Sequence, residues 1–275
     1  MRALIAAAAL VACVAASPAH PTVNPGQRIA GGDNAARNQF PYQVSVQIGS
    51  GANFRHYCGG SIIGTTYVLT AAHCFDFPQV PALYRIVAGV LNLNDINVGE
   101  QVRAITRIVN HELYPGNNVV APNDIAVARV ASPFAWTVNV QPIDLPAPNK
   151  EPSGYAFLSG WGSLGANNPA APNTLQFVEV PIVHANECRV RLDVLLLGRP
   201  HPLDVNTNIC SGPARAIESA CGGDSGGPLA LHGELVGVVS WGLTPCGTIP
   251  NAVSVYAKVT SFLDWIERQA PDLQT

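Results

Sequence analysis

The chain has 275 residues, a formal net charge of −3, and 12% charged against 48% hydrophobic residues. It carries no basic block or stripe, which argues against nucleic acid and anionic membranes as partners. Its length suits one large all-β domain or two fused small ones.

Residues 1–16 (MRALIAAAALVACVAA) place one arginine ahead of an uninterrupted apolar run that ends in small residues. That is the layout of a secretory signal peptide, and the run is too short and wrongly flanked for a membrane span. Cleavage is expected after Ala16, with Ala19 as the alternative. No later apolar run approaches the roughly 20 residues of a transmembrane helix, so a soluble, secreted, extracellular protein is expected. Arg2 and Arg28 are the only charged residues in the first 28, so losing that segment would take the formal charge from −3 to −5.

Cys13 falls in the leader, leaving Cys58, Cys74, Cys188, Cys210, Cys221 and Cys246. An even number in an oxidising compartment implies three disulfides, with a connectivity that spacing alone leaves open. No CxxC spacing offers a zinc site. His111-Glu112 begins like a helical HExxH motif, but Pro115 stands where the second histidine should be. Neither a metal nor a cofactor is expected. His111, His184, His201 and His232 are read as surface residues.

From residue 28 onward, short β-like runs alternate with Gly, Pro and Asn. YQVSVQI (42–48) has a period of two. YRIVAGV (84–90), QVRAITRIV (101–109), DIAVARV (124–130), LQFVEVPIV (175–183) and ELVGVVSWG (234–242) are β-branched and turn-bounded. LHGEL (231–235) reads as a tight hairpin. Many short strands without long helical periodicity predict an antiparallel barrel or sandwich. The Pro-rich segment 140–154 reads as a connector between two halves. Only the C-terminus reads as helix: Val259, Phe262, Leu263 and Ile266 lie at i, i+3, i+4 and i+7, with Thr260 or Ser261 available as N-cap. The run VLLLG (194–198) reads either as extra core or as an exposed contact patch.

A serine hydroxyl attacks a carbonyl only with a base to take its proton, a carboxylate to orient that base, and donors for the oxyanion. CGGDSGGP (221–228) surrounds Ser225 with glycines, which let bare backbone N–H groups approach developing charge. TAAHC (70–74) sets His73 at the end of an apolar strand beside a cysteine. NDIAV (123–127) sets Asp124 at the head of another. The order His, Asp, Ser is one of the known triad orders.

TAAHC, NDIAV, GGDSGGP and SWG (240–242), in this order, resemble the chymotrypsin/trypsin-like serine proteases, and the match runs from RIAGG (28–32) to the C-terminal helix. The resemblance implies two antiparallel six-stranded β-barrels with a C-terminal α-helix over residues 29–275, and the site between them. It implies Ser225 as nucleophile, His73 as general base and then acid, and Asp124 as the group orienting His73, itself held by Ser240. The oxyanion hole would be the N–H groups of Gly223 and Ser225, and the backbone of 240–242 would pair with substrate. The implied disulfides are Cys58–Cys74, Cys188–Cys210 and Cys221–Cys246.

The resemblance also implies a zymogen. A propeptide over 17–28 would be cut at Arg28–Ile29 by a trypsin-like activator, and the new ammonium of Ile29 would pair with Asp224. Before cutting, His56, backed by Ser45, matches the family residues that hold that aspartate. Ala30 stands where valine is commoner, which alters packing but not the ammonium. In the primary pocket Ser219 takes the base, where trypsin-like members carry aspartate. Gly242 leaves the mouth open, which favours large apolar or aromatic residues, and Ser254 on the facing wall keeps an elastase-like preference for small aliphatic residues as the alternative. A non-catalytic homologue is the remaining alternative. Expected partners are protein or peptide substrates, the activating protease and protein protease inhibitors, with the chain itself a monomer.

Overall fold

The computed structural model describes residues 32–271, apart from 77, 96–98, 118, 166–169 and 214–216, together with Leu273. The leader, the propeptide, Arg28 and Ile29 lie outside the described residues. Two closed antiparallel barrels carry the chain. The first contains β2 (Gln43–Ser50), β3 (Asn53–Ile62), β4 (Tyr67–Thr70), β5 (Tyr84–Ala88), β6 (Gln101–Asn110) and β7 (Ala126–Val130). They close in the order β2-β3-β4-β7-β6-β5.

The second ring uses β8 (Tyr155–Gly160), β9 (Gln176–Val183), β10 (Asn208–Ser211), β11 (Pro228–Leu231), β12 (Glu234–Gly242) and β13 (Ser254–Lys258). It runs β9-β10-β13-β12-β11-β8, and β8 pairs back to β9. The two-residue β1 (Asp33–Asn34) is added to β9.

Alternating residues supply each interior. Val44, Val46, Leu69, Ile86 and Ala128 fill the first, and Leu158, Val180, Ile209, Leu229 and Tyr256 the second. Burial of such side chains, worth about 1.5–3 kcal/mol each, is the main force closing the barrels. A third cluster, with Phe40, Val87, Trp161 and Leu175, gathers residues from both barrels, and Ser159 on β8 donates to Gln43 on β2 at 2.7 Å. The connector 140–154 is anchored rather than loose: Ile143 N–H donates to Ile62 and Leu235 N–H to Asp144.

The C-terminal helix forms, but not with the anticipated start. A 3-10 turn (Val259–Phe262) leads into α2 (Leu263–Gln269), Lys258 stands at the N-cap position, and no side chain caps the turn. The turn is capped two residues ahead of Thr260, with Val259 buried in it, and Ser261 donates to the Asn206 carbonyl instead. All four stripe residues, Val259, Phe262, Leu263 and Ile266, are buried.

A second helix, α1 (Ala185–Leu195), was not anticipated. Its inward face is Cys188 and Leu192, while Val190 and Val194 point to solvent. Apolar residues on both sides leave no single stripe for periodicity to detect. Two histidines read as surface residues are packed: His111 lies against the Phe262 and Trp265 rings, and the His201 side chain is 8% exposed and bonded to Asp193.

Candidate active site

Strand register brings His73 and Asp124 together. Thr70, the last residue of β4, lies opposite Ala126, the first of β7. The residues just after one strand therefore meet those just before the other. Asp124 sits in the turn ahead of β7, not on the strand itself, because Asn123 adopts φ 61° and delays the strand to Ala126.

The Asp124 carboxylate is 4% exposed and fully engaged. Its Oδ1 accepts the His73 backbone N–H at 2.9 Å. Its Oδ2 accepts the His73 ring Nδ1–H at 2.7 Å and the Ser240 hydroxyl at 2.5 Å. With Nδ1 as donor, Nε2 of a neutral ring is the free base. Burial lowers the His73 pKa, but the hydrogen bond and charge of Asp124, aided by the charge of Asp76, outweigh it, and the net shift is upward. The ring stays 27% exposed and, with Val119, Val120 and Trp241, lines a cavity of about 250 Å³. Cys58, Cys74 and His73 lie close together in a way that would suit a metal, but the two sulfurs are bonded to each other.

Ser225 stands in the turn of the second barrel that leads into β11. Ahead of β11 the ladder with β12 already runs, as Gly226 N–H donates to Val239 and Val239 N–H to Gly227, each within 2.9 Å. Ser240 follows Val239, which is how β12 carries its hydroxyl to Asp124. The Ser225 carbonyl accepts Gly59 N–H at 2.8 Å. Gly59 adjoins Cys58, which is joined to Cys74, the neighbour of His73. One hydrogen bond and one disulfide thus fix the serine turn to the histidine turn. Among the described residues, Ser225 Oγ and His73 form no hydrogen bond.

Two glycines of the serine turn are structurally required. Gly226 has φ +76°, and a Cβ there would overlap Thr70 Oγ1 and the Gly59 carbonyl. Gly223 has φ +100° and lies against Gly162. Side chains are strained in this region of φ. Among the described residues, neither the Gly223 nor the Ser225 N–H is taken by an acceptor, so both remain available to a ligand.

Asp224 is fully buried. Its Oδ1 accepts Gly162 N–H at 2.8 Å and its Oδ2 accepts Cys221 N–H at 2.9 Å. A Cβ at Gly160 or Gly162 would overlap this carboxylate. Burial raises its pKa to about 6, against the lowering effect of the two amides. His56 does not bond the Asp224 carboxylate: its Nε2 meets the Gly223 carbonyl at 2.9 Å and its Nδ1 the Ser45 hydroxyl at 2.8 Å.

Around the candidate pocket, Ser219 is 7% exposed and its Oγ accepts Gly247 N–H at 3.1 Å. Gly242 lies opposite Ser254 in the β12–β13 ladder. Ser254 Oγ accepts Ala220 N–H at 3.0 Å, which turns it toward the wall. Cys221–Cys246 ties the Ser225 turn to the loop after β12, and Cys188–Cys210 ties α1 to β10.

Comparison with known proteins agrees with this geometry. Residues 29–266 match the family described as Trypsin. The chain is 39% identical over 259 residues to Lectizyme of Glossina austeni, covering 88% of this chain and 86% of that protein. It is 36% identical over 273 residues to Trypsin Blo t 3 of Blomia tropicalis and 32% identical over 259 residues to Trypsin II-P29 of Gallus gallus, each covering 94% of this chain and 95% of the relative. A double-barrel chain matched to one family over nearly its whole length belongs to that family: it is a trypsin-family serine protease, a serine endopeptidase that hydrolyses peptide bonds in protein substrates.

Proposed function

We propose that the chain is a secreted zymogen which, once cut at Arg28–Ile29, cleaves after large apolar or aromatic residues, with His73, Asp124 and Ser225 as its triad. The observation that carries the triad is the double engagement of Asp124 Oδ2 by the His73 ring and Ser240, which leaves Nε2 as the base. Ser225 Oγ attacks the scissile carbonyl while Nε2 takes its proton. The oxyanion falls between the Gly223 and Ser225 N–H groups. As the C–N bond breaks, the imidazolium returns the proton to the leaving amine and an acyl-serine remains. Water, deprotonated by the same Nε2, then releases the acid and restores Ser225. The Ser225–His73 hydrogen bond closes when substrate is bound, as catalytic contacts often do.

Specificity rests on Ser219. An arginine or lysine buried over a neutral hydroxyl would lose its hydration without gaining a countercharge, a penalty of about 3–5 kcal/mol. Gly242 leaves the entrance clear, since a Cβ there would meet only Val253 and Ser254 at 3.8 Å or more. Ser254, bonded to Ala220, supports an open pocket over the elastase-like alternative.

Activation follows from Asp224. A new Ile29 ammonium would relieve the buried carboxylate and hold the Gly223–Ser225 turn. The leader and the three disulfides support secretion. An activating trypsin-like protease and protein inhibitors are the remaining partners in this reading, with a monomeric enzyme.

The test is hydrolysis by the trypsin-activated chain of peptides differing only in Phe, Leu, Ala or Arg before the cut. Phe and Leu should dominate. Ala dominance would mean a filled pocket, and Arg dominance a countercharge that Ser219 does not supply.

A further inference from the structure

Asp76 lies three residues past His73 and takes no part in the triad reading. The 3-10 turn Ala72–Phe75 carries His73, and Asp76 closes it, its N–H donating to the His73 carbonyl at 3.3 Å. Its Oδ2 accepts the Tyr114 hydroxyl at 3.0 Å, and the same hydroxyl lies 3.3 Å from the Val119 carbonyl. One phenol thus ties the turn of His73 to the loop ahead of Asp124.

That loop needs the tie. Between Asn110, which ends β6, and Ala126, which starts β7, the described residues form neither helix nor strand. Val119 and Val120 are about half exposed, so burial does little to fix them. Tyr114 is itself anchored: it is buried, and its N–H donates to the His111 carbonyl at 2.9 Å. His111 in turn packs against Phe262 and Trp265. The loop passes close to Asp76 at Gly116, where φ is +71° and a Cβ would stand 3.6 Å from Oδ1.

What the tie holds is a wall of the cleft. Val119 and Val120 line the cavity beside His73, facing Ser240 and Trp241. Successive side chains of an extended chain point to opposite faces. A substrate paired along 240–242 with one side chain over Ser219 therefore turns the preceding one toward this cavity.

Charge acts through the same residue. Burial lowers the His73 pKa, and against it work the hydrogen bond and charge of Asp124 and then the charge of Asp76. From β12 the cavity receives Ser240 and Trp241, neither of them charged. Tyr114 stays a neutral donor, because burial, followed by the charge of Asp124 and the bond and charge of Asp76, raises its pKa.

We infer that the Asp76–Tyr114 pair is a positioning element of the reaction: it holds the Val119–Val120 wall against the His73 turn, favouring an aliphatic side chain just before the one that fills the Ser219 pocket, and it keeps a second negative charge beside the base. The inference rests on the proposed triad and cleft.

The test compares two short amides cut by the activated full chain, both ending in Phe, one with valine and one with glycine ahead of it. Tyr114→Phe keeps the ring and removes the tie. It should lower the valine-to-glycine ratio of kcat/KM roughly fivefold, the scale of one hydrogen bond, mainly through KM, with the acid limb of the pH profile in place. Asp76→Asn keeps an acceptor for Tyr114 and removes the charge. It should hold the ratio while the acid limb moves to lower pH. Asp76→Ala should show both changes, and the two conservative variants keep the test valid if it unfolds. A ratio unmoved by Tyr114→Phe would show that the wall stands without the pair, and an acid limb unmoved by Asp76→Asn would show that the charge does not reach the base. Either result would overturn the inference. Failure of the unmutated chain to cut both amides would instead fall on the proposed function.

Discussion

His56 Nε2 lies 2.9 Å from the carbonyl oxygen of Gly223, linking the first barrel to the turn ahead of the candidate nucleophile. A carbonyl only accepts, so Nε2 carries the proton, and Nδ1 of the neutral ring accepts from Ser45. Burial, partly offset by that hydrogen bond, lowers the His56 pKa below 6.5, which keeps this tautomer neutral. His56→Ala removes a buried bond to the Gly223 carbonyl worth about 1 kcal/mol and so loosens Gly223, whose own N–H is a proposed oxyanion donor. We expect kcat on a Phe amide to fall roughly tenfold with little change in KM. An unchanged kcat would show that the turn is held without His56.

The pH dependence follows from His73. Its pKa is raised above 6.5 and only its neutral form accepts a proton, so kcat/KM should fall as pH drops through that raised value. For stability the sign is opposite: the favourable His73⁺–Asp124 pairing is fully present below 6.5 and is lost as pH rises through the folded pKa. Asp124→Asn removes the two main raising influences. The acid limb should move to lower pH while the rate collapses. An acid limb unmoved in that variant would assign it to another group.

Asp224 makes the cut and uncut forms diverge with pH. Burial raises its pKa to about 6, so a folded state without the ammonium binds the proton more tightly than the unfolded chain. The uncut form therefore loses stability as pH climbs from the ordinary carboxylate range through about 6. An Ile29 ammonium cancels that loss. Thermal unfolding of Ser225→Ala in both forms should show a gap that widens up to about pH 6 and then levels at a few kcal/mol. A gap independent of pH would mean that the ammonium does not reach Asp224.

Much of this molecule was readable in its sequence, for identifiable reasons. The strands at 43–50, 84–88, 101–110, 176–183 and 234–242 carry β-branched alternation because one face of each is buried. The meeting of His73 with Asp124 leaves no local trace, since it depends on the β4–β7 register, and only resemblance to a family pointed to it. Helix α1 escaped because its valines face water. The bond from His56 to the Gly223 carbonyl is a matter of side-chain direction that no residue type reveals.

Ser219→Asp probes the pocket directly. The carboxylate would replace a hydroxyl that accepts Gly247 N–H, so the amide keeps an acceptor. Cleavage after Arg or Lys should appear, and cleavage after Phe should fall at least tenfold because the new charge loses hydration when an apolar side chain covers it. Steady-state kcat/KM on matched Phe and Arg peptides reads both changes. An unaltered preference would place Ser219 outside the pocket.

The most direct test of the account is covalent. The chain cut at Arg28–Ile29 is treated with an organophosphorus fluoride and its peptides are weighed by mass spectrometry, beside the uncut chain and a cut His73→Ala variant. One phosphoryl adduct on Ser225, rapid in the cut chain and nearly absent from the other two, is the predicted result. An adduct on another residue, or equal labelling of cut and uncut chains, would contradict a triad that is armed by cleavage.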